Sequence, residues 1–196
     1  EDVKNTFNMV SVDGDTSTND MLSIMANGMA NNKEIIEEGK DFETFCKALN
    51  YVTTYLCKLI AKDGEGATKL IECKVEGAVD ENNAKLIAKS VITSSLFKSA
   101  MFGADANWGR VLCAIGYSKA LVDIDKIDVS FSSHNGTICV CKAGSGVEFS
   151  EEIAKIVLSS DEILVTINCN QGKGISSAFG CDLTYEYVRI NGDYRT

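Results

Sequence analysis

The sequence predicts an α/β fold of mixed α+β character, built in layers. Amphipathic runs with three-and-four spacing are interleaved with short runs of period two. Their order is irregular, without the strict strand–helix–strand alternation of a purely parallel sheet. The chain has 196 residues of which 45% are apolar, enough to bury a real core. It reads as one unit over 1–196 with no internal boundary, repeat or low-complexity linker.

Residues 7–12 read as a short strand, and the polar stretch 13–20 breaks it. Met21–Ala26 is too short for periodicity to decide between strand and helix, and 27–41 is polar and loop-like. From Asp41, the positions Phe42, Phe45, Cys46, Leu49, Val52, Leu56 and Ile60 predict a long amphipathic helix that stops at Lys58, Lys62 and Gly64. Ile71, Cys73 and Val75 alternate with Glu72 and Lys74 as a strand. A helix follows from about Asp80, with Ala84, Ile87, Ala88 and Val91 on one face. Trp108, Val111, Leu112 and Ile115 mark another helix. Strands near 127–132 and 137–142 flank His134-Asn135-Gly136, a hairpin signal. Ser150, with Glu151 and Glu152, caps a helix whose expected inner face is Ile153, Ile156 and Val157. Ile163–Cys169 and Cys181–Ile190 are predicted as the last two strands.

Lys plus Arg is 19 against 28 for Asp plus Glu, a net charge of -9, which argues against a nucleic-acid partner. No apolar run approaches the roughly 20 residues of a membrane span, so no membrane partner is expected and the protein reads as soluble and cytoplasmic. The eight cysteines contain no CxxC spacing, and the single His134 cannot complete a Cys/His zinc set. No metal is therefore predicted, and the cysteines are expected to be reduced, mostly in the core.

Several short segments carry chemistry-bearing residues. Asp13-Gly-Asp15-Thr16-Ser17-Thr18-Asn19-Asp20 is unlike a calcium loop in its glycine position, and no base neighbours its hydroxyls. Such side chains commonly bond their own backbone in turns. Glu65 stands between Gly64 and Gly66, just past a helix end. Two readings fit it: a carboxylate held on a bend to receive an ammonium, or a helix C-cap before a strand. In Gly103–Arg110, Asp105 or Asn107 fits an N-cap with Trp108 in the core. The run Gly172-Lys-Gly174-Ile-Ser-Ser lacks Walker spacing and is expected to be a hairpin.

Taken in order, Val12–Asp20, Asp63–Lys69, Gly103–Arg110, Gly180–Tyr187 and Asn191-Gly-Asp-Tyr-Arg-Thr196 closely resemble the ornithine acetyltransferase family. The resemblance runs from about residue 6 to the last residue. It implies an enzyme of arginine biosynthesis that moves an acetyl group from N2-acetylornithine to glutamate, with acetyl-CoA as a donor in some members. It also implies a layered, self-cleaving architecture in which an N-terminal threonine is the nucleophile, its own α-amine accepting the hydroxyl proton. That threonine is expected upstream of Glu1. The chain then reads as a β chain without its first twenty or so residues, and no catalytic residue is assigned within it. By the same resemblance Glu65, Asn191 and Thr196 bind substrate, and an α chain of the same precursor is the partner in an α2β2 heterotetramer. No tightly held cofactor is implied. Two other readings remain: an amidase or aminopeptidase of the same architecture, in which water replaces glutamate, and a non-catalytic amino-acid-binding subunit.

Overall fold

The computed structural model describes residues 1–194, so Thr196 lies outside the described residues. Short 3-10 turns, Asp2–Asn5 and Phe7–Met9, lead into β1 (Val10–Ser11). Then follow α1 (Lys40–Lys62), β2 (Leu70–Ala78), α2 (Glu81–Thr93), α3 (Ser95–Phe102) and α4 (Trp108–Gly116). The second half contains β3 (Asp128–Ser133), β4 (Gly136–Lys142), β5 (Ser145–Gly146), α5 (Glu151–Leu158), β6 (Glu162–Asn168), β7 (Gly174–Cys181) and α6 (Tyr185–Asp193). The strands form one mixed sheet in the order β1-β7-β2-β6-β3-β4-β5. The β1/β7 and β2/β6 pairs are parallel and the others antiparallel.

Period-two patterning sets the faces of this sheet. Ile71, Cys73 and Val75 of β2 pair in register with Ile163, Val165 and Ile167 of β6, and all six are buried in the main core. Helix α2 covers that face over β7 and β2, and α5 covers it over β3 and β4. On the opposite face α1 seats Cys57 and Ala61 against Leu70 and Phe179, with Phe7 and Val10 at the edge of this smaller cluster. Side-chain caps start α2 to α6: Asp80, Ser94, Asn107, Ser150 and Thr184 each accept from a backbone N–H three residues on, whereas α1 begins at Gly39 without one.

The predicted strand Cys181–Ile190 is the end of β7 followed by helix α6. Thr184 accepts from Tyr187 N and Glu186 sits in the first turn, so the cap overrides the strand-like tyrosine and valine content. The predicted strand over 7–12 shortens to Val10–Ser11, and Met21–Ala26 has no regular structure. Helix α5 turns Ala154, Val157 and Leu158 inward, leaving Ile153 and Ile156 exposed. The glycine-rich run after β6 does not make a hairpin, because β6 and β7 lie on either side of β2. Gln171 and Gly172 donate to Gly77 O as the chain crosses the end of that strand. Helix α1 forms where predicted, but Phe42, Phe45, Val52, Leu56 and Ile60 stay exposed while Thr53, Cys57 and Ala61 are buried.

Candidate substrate-binding site

The end of α1, the start of β2, the end of β7 and the residues after β1 meet at one end of the sheet. The loop from Asp63 to Lys69 is fixed there by a buried carboxylate. Asp182, only 3% exposed, accepts from Thr68 N at 2.8 Å, Lys69 N at 2.9 Å and Thr68 Oγ1 at 2.5 Å. Lys69 points inward and donates to Met101 O at 2.5 Å and Leu158 O at 2.7 Å. Burial pulls its pKa down, against the opposing pull of Asp182. Lys98, also 3% exposed, donates to Val12 O and lies 3.7 Å from Cys181 Sγ. Burial in turn pushes the Cys181 thiol up.

Helix α6 is laid directly on this loop. Thr184 Oγ1 donates to Gly66 O at 2.7 Å. Gly66 has φ +67°, and a Cβ there would lie 2.7 Å from both Glu186 Cβ and Tyr187 N, so only glycine allows the approach. At Gly64 a Cβ would stand 2.9 Å from Cys181 Sγ, so the glycine lets the same loop lie close to the end of β7. Tyr187 donates its hydroxyl to Asp13 Oδ2 at 2.9 Å. Burial first, then the hydrogen bond and charge of Asp13 and the charges of Glu65 and Asp15, push that phenol up to about 12.

One turn further on, Asn191 Nδ2 donates to Glu65 Oε2 at 2.7 Å and to Tyr187 O at 3.0 Å. Two residues singled out in the sequence are thus brought together across 126 positions. Both amide hydrogens are engaged, which leaves Asn191 Oδ1 and Glu65 Oε1 as acceptors with no partner among the described residues. Both side chains are solvent-exposed. A pair of oxygen acceptors, one of them charged, is suited to an ammonium group.

The other segments take different places. In the turn 13–20, Asp13 Oδ1 accepts from Asp15 N at 2.9 Å and Ser17 Oγ accepts from Asn19 N at 3.1 Å, so these side chains do bond their own backbone. Asp13 still reaches the site through its second oxygen. Asn107 caps α4, accepting from Arg110 N, and Arg110 donates to Leu96 O at 2.8 Å; neither joins the site. His134 lies exposed in the β3–β4 turn, away from it. All eight cysteines are unbridged, and no group of three or more His, Cys, Asp or Glu among the described residues could hold a metal ion. Tyr187, Lys98 and Asp182 also take part here, and no motif in the sequence singles them out. The Thr184 cap was a readable sign that Tyr187 belongs to a helix, whereas nothing local indicated that Lys98 or Asp182 would be buried.

The sequence profile described as the ArgJ family matches residues 1–196. The chain belongs to the ArgJ family. It is 55% identical over 196 residues to the arginine biosynthesis bifunctional protein ArgJ 1 of Clostridium acetobutylicum, covering 100% of this chain and 48% of that protein. To the arginine biosynthesis bifunctional protein ArgJ of Thermotoga neapolitana it is 49% identical over 194 residues, covering 99% of this chain and 49% of that protein. The chain spans about half the length of the curated ArgJ relatives it matches. The crystal structure of the arginine biosynthesis bifunctional protein ArgJ from Bacillus halodurans superposes with a TM-score of 0.93 at 46% identity, covering 98% of this chain and 89% of that one. The mixed layered fold is therefore that of an ArgJ protein.

Proposed function

We propose that this chain forms the amino-acid-binding part of a longer enzyme that transfers an acetyl group from N2-acetylornithine to glutamate. The observation that carries this reading is the convergence of Glu65 and Asn191, placed by α6 on the Glu65 loop. Membership of a family whose relatives are named for arginine biosynthesis supports the choice of substrates. Glu65 Oε1 and Asn191 Oδ1 receive an ammonium group of the substrate and orient its acetylated end. Thr196, which follows α6 closely in sequence, belongs to the same reading. A threonine outside the 196 residues takes the acetyl group on its hydroxyl oxygen as the C–N bond to ornithine breaks; its α-amine accepts the hydroxyl proton and passes it to the departing ornithine nitrogen. The glutamate amine then attacks the acetyl ester and restores the hydroxyl.

An α chain of the same precursor is the proposed partner, within an α2β2 assembly. Its seat on this chain is the exposed face of α1, where Phe42, Phe45, Val52, Leu56 and Ile60 line up without cover and Lys40–Ala48 contains no buried residue.

The test uses the full-length gene product with N2-acetylornithine, with and without glutamate. Formation of N-acetylglutamate, with ornithine release that depends on glutamate, is the expected result. Full-rate release of acetate without glutamate makes the enzyme an amidase instead, and no turnover makes it a binding subunit. Replacing acetylornithine by acetyl-CoA in the same assay tests the second donor.

A further inference from the structure

We propose that Tyr187 is a positioning residue for the Glu65–Asn191 pair, anchoring α6 to Asp13 so that Asn191 is held at Glu65. The inference rests on the substrate-binding reading of that pair. Helix α6 contains no buried residue, so no apolar face fixes where it lies. What holds it is a short set of tethers. Thr184 bonds Gly66 O, Tyr185 packs edge-on against Phe102 at 5.6 Å, Tyr187 bonds Asp13, and Asn191 bonds Glu65. The last of these is the substrate pair itself and cannot serve as its own support.

Tyr187 alone among these tethers touches both sides of the problem. Its carbonyl accepts from Asn191 Nδ2 at 3.0 Å and sets the amide orientation. Its hydroxyl reaches across 174 positions to a carboxylate, a stronger bond than one between neutral groups. The Asp13 end is itself braced. The preceding carbonyl, Val12 O, accepts from the buried ammonium of Lys98, and Asp13 Oδ1 is tied to Asp15 N. The path from Lys98 through Val12, Asp13 and Tyr187 to Asn191 is thus a continuous strut from the core to the site. With its pKa pushed up to about 12, the phenol stays a donor throughout the neutral range.

The test measures KM and kcat for acetylornithine, together with the thermal midpoint, on the full-length gene product. The variants are Tyr187→Phe, Asp13→Asn, Asn191→Ala and the double variant Tyr187→Phe with Asn191→Ala. Tyr187→Phe is expected to raise KM by about 5- to 20-fold with kcat within about twofold, as loss of a charge-assisted bond predicts. Asp13→Asn, which keeps an acceptor but loses its charge, should raise KM by about 2- to 5-fold. Because the tyrosine acts through Asn191, the double variant should be no worse than Asn191→Ala alone. An unchanged KM in Tyr187→Phe, with a raised KM in Asn191→Ala, overturns the inference and leaves the binding pair standing. A fall in kcat alone overturns it too, since it places the phenol at the reaction. A changed thermal midpoint with unchanged KM reduces Tyr187 to a fold contact. If Asn191→Ala is also silent, the binding pair and the inference fall together.

Discussion

Asp182 gathers three hydrogen bonds onto one buried carboxylate, and through Thr68 and Lys69 it sets where the Glu65 loop enters β2. Asp182→Ala removes those bonds and leaves the buried Lys69 N–H unsatisfied, so a loss of about 2–4 kcal/mol is expected in urea unfolding of the purified protein. Tyr187 gives a second residue-scale prediction. Its folded pKa, about 12, lies above the unfolded value near 10, so the native state holds the proton more tightly. Its contribution to stability is complete below about pH 10 and is lost as pH rises towards about 12. The buried thiols of Cys57 and Cys169, both pushed up to about 11, titrate in the same range. The comparison that isolates Tyr187 is therefore wild type against Tyr187→Phe, and the variant should lose less stability between pH 10 and 12.

Among the elements, those with a buried face and a cap were legible in the sequence. Strand β2 alternates because α2 covers only one of its faces, and α2 and α4 begin at side chains that accept from their first turn. The β3–β4 turn follows from Asn135-Gly136. Helix α6 was misread because it buries nothing: with no apolar face, no period of 3.6 marks it, and its tyrosines and valine imitate a strand. Helix α3 escaped notice because it packs eight residues directly after Ser94 with Phe97, Lys98, Ala100 and Met101 all inward, a run too short for a clear period. At the site, Glu65 and Asn191 came from recognisable sequence blocks, whereas the Lys98–Tyr187 strut depends on long-range placement. The cysteines test the element assignments directly. Cys46 on α1 and Cys113 on α4 are exposed, while burial pushes up the thiols of Cys57, Cys73, Cys169 and Cys181. A thiol reagent should label Cys46 and Cys113 quickly and Cys57, Cys73, Cys169 and Cys181 slowly, with all eight titrating in denaturant. Rapid labelling of Cys73 in native protein would contradict the buried β2 face.

Across the whole molecule, the sheet is well covered on the α2 and α5 side and thinly covered on the α1 side. The segment from Asp13 to Ala48 has no buried residue, and Met21, Met25, Met29, Ile36, Phe45 and Tyr51 are each more than half exposed. A surface of this kind, on a chain spanning about half the length of its relatives, is suited to contact with the rest of a longer protein. The isolated chain is accordingly expected to self-associate in sedimentation experiments, and Cys46 to become protected from labelling in the complete assembly while Cys113 keeps its reactivity. A compact, stable monomer of the isolated chain would argue against α1 as a seat for a partner. The central claim, that Glu65 and Asn191 receive the ammonium group of an amino-acid substrate, is tested most directly by the KM for N2-acetylornithine of the full-length Glu65→Gln variant. Gln keeps the shape and loses the charge, so KM should rise by about 10-fold or more with the thermal midpoint unchanged. An unchanged KM in a folded, active variant would contradict the claim.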